Sequence, residues 1–228
     1  MTDLRRVFLL VLSAGWISGC GGSNPTAPTG TPTGTPPGNY TCTLVVGFSQ
    51  TDQWYRMGFE SIVGDDSWEI MAAFAGVDRW GQPNDPVWRS PIRSACTDRT
   101  GDPNRVLLSV SGPFGADEGA WAKAIEDTLA VIRSRFLSVR NIVLQPVVGG
   151  PNHEDCFFGG ERVRASWQHA HIDHAIEMVL GRDAVGNLVA GISPEVRTCD
   201  DYRDEVGHLT DEGAAAAAQS IGNFYRGS

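Results

Sequence analysis

Short runs of β-branched and aliphatic residues alternate along this chain with longer stretches whose apolar positions recur every three to four residues. Thr43–Val46, Trp68–Phe74, Val106–Val110, Asn141–Val148 and Leu188–Ile192 are such runs, and each predicts a buried strand. Asp117–Phe136 places Trp121, Ile125, Leu129, Ile132 and Phe136 on one stripe, the pattern of an amphipathic helix. Glu161–Leu180 predicts a second long helix, and Thr210–Tyr225 an alanine-rich terminal helix with Thr210 as its N-cap. Helical spacing also marks Gln50–Val63, through Trp54, Met57 and Ile62. From Ala75 to Asn104 the Asp, Pro and Trp content predicts loops. Strands alternating with helices imply parallel βαβ units, hence an α/β fold: a three-layer α/β/α sandwich with a mostly parallel five-stranded sheet. Sites in such sheets gather beyond the carboxyl ends of the strands.

Ahead of the first strand the pattern changes twice. Arg5 and Arg6 precede an apolar run from Val7 to Trp16, which is shorter than the roughly 20 residues that span a bilayer. The run closes on Ile17-Ser18-Gly19-Cys20, which resembles the lipobox of bacterial lipoproteins. That resemblance implies a signal peptide over residues 1–19, lipidation of Cys20 and a place in the bacterial cell envelope, with the membrane touched through the lipid anchor alone. Residues 20–39 hold no charge and no aromatic side chain, and are rich in Gly, Pro, Thr and Ser. Such a segment cannot bury enough apolar surface to offset its ordering entropy. It predicts a linker with an end-to-end distance of about 25 Å. Residues 40–228 then form one domain.

Charge narrows the partners. The chain carries 18 Lys and Arg against 27 Asp and Glu, a net charge of −9, and all but Asp3, Arg5 and Arg6 lie in the domain. An acidic surface argues against nucleic acid or an anionic membrane surface as a partner. Beyond Cys20 there are four cysteines, an even number that predicts two disulfides in an exported domain. Cys42 and Cys96 precede the first and third strands, whereas Cys156 and Cys199 follow the fourth and fifth. The pairs expected are therefore Cys42–Cys96 at the amino end of the sheet and Cys156–Cys199 at the carboxyl end.

Two polar residues stand where the chemistry is expected. Ser49, in Gly47-Phe48-Ser49, follows the first strand at the entry to a helix, where its backbone N–H can stabilise an oxyanion. His208 precedes the last helix, in Asp204-Glu205-Val206-Gly207-His208-Leu209-Thr210, with carboxylates three and four residues earlier. A histidine so oriented can serve as general base to a serine.

By these two blocks and by element order over residues 42–226, the chain resembles the SGNH (GDSL-like) hydrolases. Phe48 stands where that family usually has Asp, while His208-Leu209-Thr210-Asp211-Glu212-Gly213 matches the family's final block well. The resemblance implies Ser49 as nucleophile, His208 as base, and Asp204 or Glu205 as the acid that orients it. It also implies an oxyanion hole from the N–H groups of Ser49 and Gly76. The family's Gly-x-Asn-Asp block falls at Gly112-Pro113-Phe114-Gly115, which lacks the donor Asn. Loss of one such donor costs about 10²–10³ in rate; Asn152 and Ser111 are candidate substitutes.

The expected function is a serine ester hydrolase acting on O-acyl esters, with carbohydrate esters favoured, as a monomer without cofactor or metal. The alternative is an inactive protein that keeps the fold for binding or structure.

His169-Ala170-His171-Ile172-Asp173-His174 also spells HxHxDH, the metal-binding string of the metallo-β-lactamase superfamily. Residues two apart on a helix point about 200° away from each other. On the helix predicted here His169 and His171 therefore diverge, and no zinc site is expected. His153-Glu154-Asp155, in the loop after the fourth strand, predicts a solvated polar loop pinned by Cys156, with lining of the substrate cleft as the alternative. Trp54, Trp80 and Trp88 are expected in the core, with stacking on sugar rings as the alternative.

Overall fold

The computed structural model describes residues 40–226 except 65 and 95. The signal-like stretch, Cys20 and the linker lie outside the described residues. In chain order the elements are β1 (Thr43–Gly47), α1 (Ser49–Trp54), α2 (Glu60–Val63), β2 (Trp68–Ala72), α3 (Val77–Trp80), β3 (Ile92–Arg93) and α4 (Thr97–Thr100). Then come β4 (Arg105–Val110), α5 (Glu118–Arg135), β5 (Asn141–Pro146), β6 (Phe157–Phe158), β7 (Glu161–Arg162), α6 (Arg164–Leu180), β8 (Leu188–Ala190) and α7 (Asp211–Tyr225).

The main sheet has six strands in the order β3-β2-β1-β4-β5-β8. All neighbours are parallel except β2 and β3. Every residue of β1, β4 and β5 is buried, as expected for strands covered on both faces. One row runs straight across the sheet through Ile70, Val45, Leu107, Val143 and Val189. Helices cover both faces: α5 packs with α3 and α6, and α7 packs with α1 and α2. The fold is thus α/β with a mostly parallel, mixed sheet.

Several boundaries differ from expectation for local reasons. The sheet has six strands rather than five, because Ile92–Arg93 adds an antiparallel edge too short for any periodicity to mark. Gln50–Val63 is not one α-helix: a π turn over Tyr55–Phe59 separates α1 from α2, with Gly58 at φ 121°. The second long helix begins at Arg164, since Glu161 and Arg162 pair with Phe157 and Phe158 in a two-stranded hairpin. Asp117 and Thr210 cap α5 and α7 by accepting from the N–H groups of Ala120 and Gly213. Both disulfides have the anticipated partners, Cys42–Cys96 and Cys156–Cys199. Such bonds persist in oxidising compartments. Among the described residues no helix is long and apolar enough to cross a membrane.

The connectivity locates the site. From β1 the chain passes to β2 on one side, whereas from β4 it passes to β5 on the other. The crevice between the carboxyl ends of β1 and β4 is the topological switch point of the sheet, where ligands of open α/β folds bind. Ser49 follows β1, and Ser111 and Gly112 follow β4.

Candidate active site

Ser49 is the first residue of α1, so its N–H has no partner within the helix. Its Oγ lies 2.7 Å from His208 Nε2. On the other side of the ring, His208 Nδ1 lies 2.6 Å from Asp204 Oδ2. With Nδ1–H donating to the carboxylate, Nε2 is left as the acceptor for the Ser49 hydroxyl. The second oxygen, Asp204 Oδ1, accepts from the backbone N–H groups of Val206, Gly207 and His208 at 3.0–3.1 Å. Partial burial pushes the Asp204 pKa up, but the hydrogen bonds from His208 and Gly207 outweigh it and hold the carboxyl below its usual range. Of the two acids proposed to orient His208, geometry selects Asp204. Glu205 is exposed, and among the described residues only its backbone carbonyl is engaged, by Arg164 N–H at 2.8 Å. The physical reason is the turn itself: Asp204 folds back as an Asx-type cap on residues 206–208, which turns the next side chain outward.

Gly207 makes that turn possible. Its φ is +104°, and a Cβ there would meet the Ala165 Cβ at 2.3 Å. Gly76, at the start of α3, is held as tightly. A Cβ on it would meet the Ser111 carbonyl oxygen at 2.4 Å, so the loop after β2 lies directly on the end of β4. The neighbouring Val77 N–H donates to that same carbonyl at 2.7 Å. Gly76, Ser49 and His208 line one cleft of about 320 Å³ together with Phe48, Phe74, Ser111 and Gln168. Among the described residues the N–H of Gly76 has no acceptor within the protein.

The Gly-x-Asn-Asp position is filled by packing rather than by a donor. Phe114 stacks edge-on against Trp121, with ring centroids 5.1 Å apart. Of the two suggested substitutes, Ser111 lines the cleft. Asn152 does not: it is exposed, and its N–H donates to Glu195. The His153–Asp155 loop is likewise turned elsewhere, with His153 paired to Glu195 and Asp155 to Arg162. Trp54, Trp80 and Trp88 are all buried in the core and unavailable for stacking on a ligand.

The HxHxDH string falls on α6, and His169 and His171 diverge as the helical geometry requires. His169 is buried, 3.0 Å from the Ser193 hydroxyl, which itself donates to Asp173 at 2.7 Å. Burial pulls the His169 pKa down to about 4, so the ring is neutral at neutral pH. His171 and His174 face outward and share Glu118 on α5. Their bonds hold the Glu118 carboxyl below its usual range.

Four functional candidates were not anticipated. Gln50 and Gln53, on the helix that carries Ser49, grip the chain on either side of His208. The Gln50 amide donates to Gly207 O at 2.8 Å and accepts from Val148 N–H at 2.8 Å. The Gln53 amide donates to Leu209 O and accepts from Leu209 N–H, both at 3.0 Å. Gln168 is only 5% exposed, lines the cleft, and has no hydrogen-bond partner among the described residues. Phe74 is 90% exposed at the rim. A sequence signal existed for the first pair, since glutamines one residue and one turn after a helix-initial serine share its end of the helix. None existed for the others.

No family model matches the chain, and a comparison with curated proteins finds no match.

Proposed function

We propose that the protein is a serine ester hydrolase of the SGNH type, acting on O-acyl esters in the bacterial cell envelope, where Cys20 would anchor it by lipid. One observation carries this reading: Ser49 Oγ, His208 and Asp204 form a continuous hydrogen-bonded chain, 2.7 and 2.6 Å long at its two links, at the switch point of the sheet. Ser49 Oγ attacks the acyl carbonyl carbon and passes its proton to His208 Nε2. The N–H groups of Ser49 and Gly76 hold the oxyanion, and Gln168 or the Ser111 hydroxyl supplies the donor that Phe114 cannot. The alcohol leaves with the proton from His208. Water, deprotonated by the same ring, then releases the carboxylic acid. Asp204 keeps the ring in the required tautomer throughout.

The decisive experiment is hydrolysis of p-nitrophenyl acetate by the purified chain, with Ser49→Ala as control. The expected result is turnover that Ser49→Ala abolishes. Equal background rates in both would overturn the reading for short acyl esters. They would favour the alternative that Phe114 suggests, a fold retained for binding without turnover.

A further inference from the structure

A second depression borders Ser49 and His208 on the side away from Gly76. It measures about 480 Å³, and Arg56, Arg93 and Arg203 line it together with Asp52, Gln53 and Phe74. The chain as a whole is acidic, with a net charge of −9, so three guanidinium groups at one opening run against the general field. Asp52 is the one carboxylate among the lining residues, and it is shared. Arg56 Nε approaches it at 3.0 Å from the π turn that follows α1, and Arg93 reaches it from β3. The third guanidinium, of Arg203, has no hydrogen-bond or ion-pair partner among the described residues. Its backbone is nevertheless fixed, because Arg203 N–H donates to His208 O at 2.9 Å. An exposed phenylalanine, Phe74, forms a wall common to this depression and the cleft that holds Gly76. The ester site thus opens onto surplus positive charge beside a free aromatic face.

We infer that this depression is an anion subsite, and that the substrate is an O-acylated saccharide carrying a carboxylate or phosphate. The inference rests on the esterase reading and adds the substrate class. Guanidinium forks bind both anions in bidentate fashion, and Phe74 offers an apolar face to a sugar ring.

The test compares three O-acetylated sugars with the full-length chain: methyl glucoside, methyl glucuronoside and glucose 6-phosphate, followed by acetate release. The expected result is a kcat/KM for at least one anionic sugar about tenfold above that for the neutral one at low salt. That ratio should shrink toward one in 1 M salt, where the Debye length is about 3 Å. It should fall to within about threefold in the Arg203→Gln/Arg56→Gln double variant, whose fold is checked by near-UV circular dichroism. Whether the glucuronoside or the phosphate gains more identifies the anion. Hydrolysis of all three sugars at equal efficiency, or a ratio unmoved by the double variant, would overturn the inference and leave the esterase intact. If none of the sugars is hydrolysed and p-nitrophenyl acetate is not either, the esterase reading fails. The subsite is then judged by calorimetric binding of the unacetylated sugars. Tighter binding of an anionic sugar that depends on Arg203 supports it, and equal or absent binding of all three overturns it.

Discussion

Gln50→Leu tests whether the helix that carries Ser49, the proposed nucleophile, also positions His208. Gln50 is 1% exposed and joins three parts of the chain: α1, the segment after β5 at Val148, and the turn before His208 at Gly207. Leucine has nearly the same volume, so the change removes the polar contacts more than the packing. It strips two 2.8 Å hydrogen bonds and leaves a buried Val148 N–H and a buried Gly207 carbonyl unpaired; Val148 O keeps its bond from the Tyr202 hydroxyl. Each orphaned group costs about 1–3 kcal/mol, so a loss of about 3 kcal/mol is expected. For a domain of this size that lowers Tm by about 6–12 °C. Gly207 adjoins His208, and a displacement of the ring on the order of 1 Å costs about 10²-fold in kcat. KM should stay within about threefold, because Gln50 does not line the cleft. Steady-state hydrolysis of p-nitrophenyl acetate, well below the variant's Tm, reads both constants. A lowered Tm with kcat unchanged would refute the reasoning and leave Gln50 a purely structural link.

Asp204→Asn should lower kcat by about 10²–10⁴-fold, because an amide no longer enforces the Nδ1–H tautomer; Glu205→Gln should change it less than twofold. Equal losses in the two would refute the assignment of Asp204. Gln168→Leu should lower kcat by about 10²-fold at little change in KM if its amide supplies the missing oxyanion donor, and an unchanged kcat would transfer that role to Ser111. Replacing Cys156 and Cys199 by serine opens a loop spanning 43 residues and should cost about 4 kcal/mol on the chain-entropy account, read as a lower denaturant midpoint. Acid should destabilise in two stages. The buried neutral His169, with its pKa near 4, contributes stability that is full above pH 6.5 and lost between pH 6.5 and 4, about 3 kcal/mol in all. Asp173 beside it has a pKa raised by burial and acts in the opposite sense, so the His169 share is read as the difference in slope between wild type and His169→Gln. Below about pH 4, Asp201 follows, held down by Arg197, and Asp204, held down by its backbone N–H bonds; protonating each removes stability.

The main strands and the three long helices were legible because each spans enough residues for a period to emerge. The strands β1, β4 and β5 are continuous apolar runs, and the stripe from Trp121 to Ile132 on α5 is buried as its spacing implies. What escaped was short or set by distant contacts. Two residues of β3 show no alternation; of the Phe157–Arg162 hairpin, Glu161 and Arg162 read as the start of the helix they run into at Val163, and Phe157 and Phe158 as loop. The disulfide pairing was legible for a topological reason: in a parallel sheet the position of a cysteine before or after a strand fixes the end of the sheet on which it lies.

The site was half legible. Ser49 and His208 are adjacent to predicted strand and helix ends, so element order alone brings them near each other. The choice between Asp204 and Glu205 turns on backbone geometry that no spacing rule contains: Gly207 at positive φ, and three N–H groups converging on one carboxylate oxygen. The same convergence bears on the missing oxyanion donor. The buried Gln50, the Gln53 clamp, the Gly207 turn and the close approach of Gly76 to Ser111 all bear on the relative placement of Ser49, His208 and the cleft. Two positions, Phe48 and Phe114, depart from what the resemblance implies, and Gln168, unpartnered among the described residues, lines the cleft with an amide donor. Under the proposed esterase reading the site has one oxyanion donor relocated, and the kcat of Gln168→Leu decides between that and a donor lost.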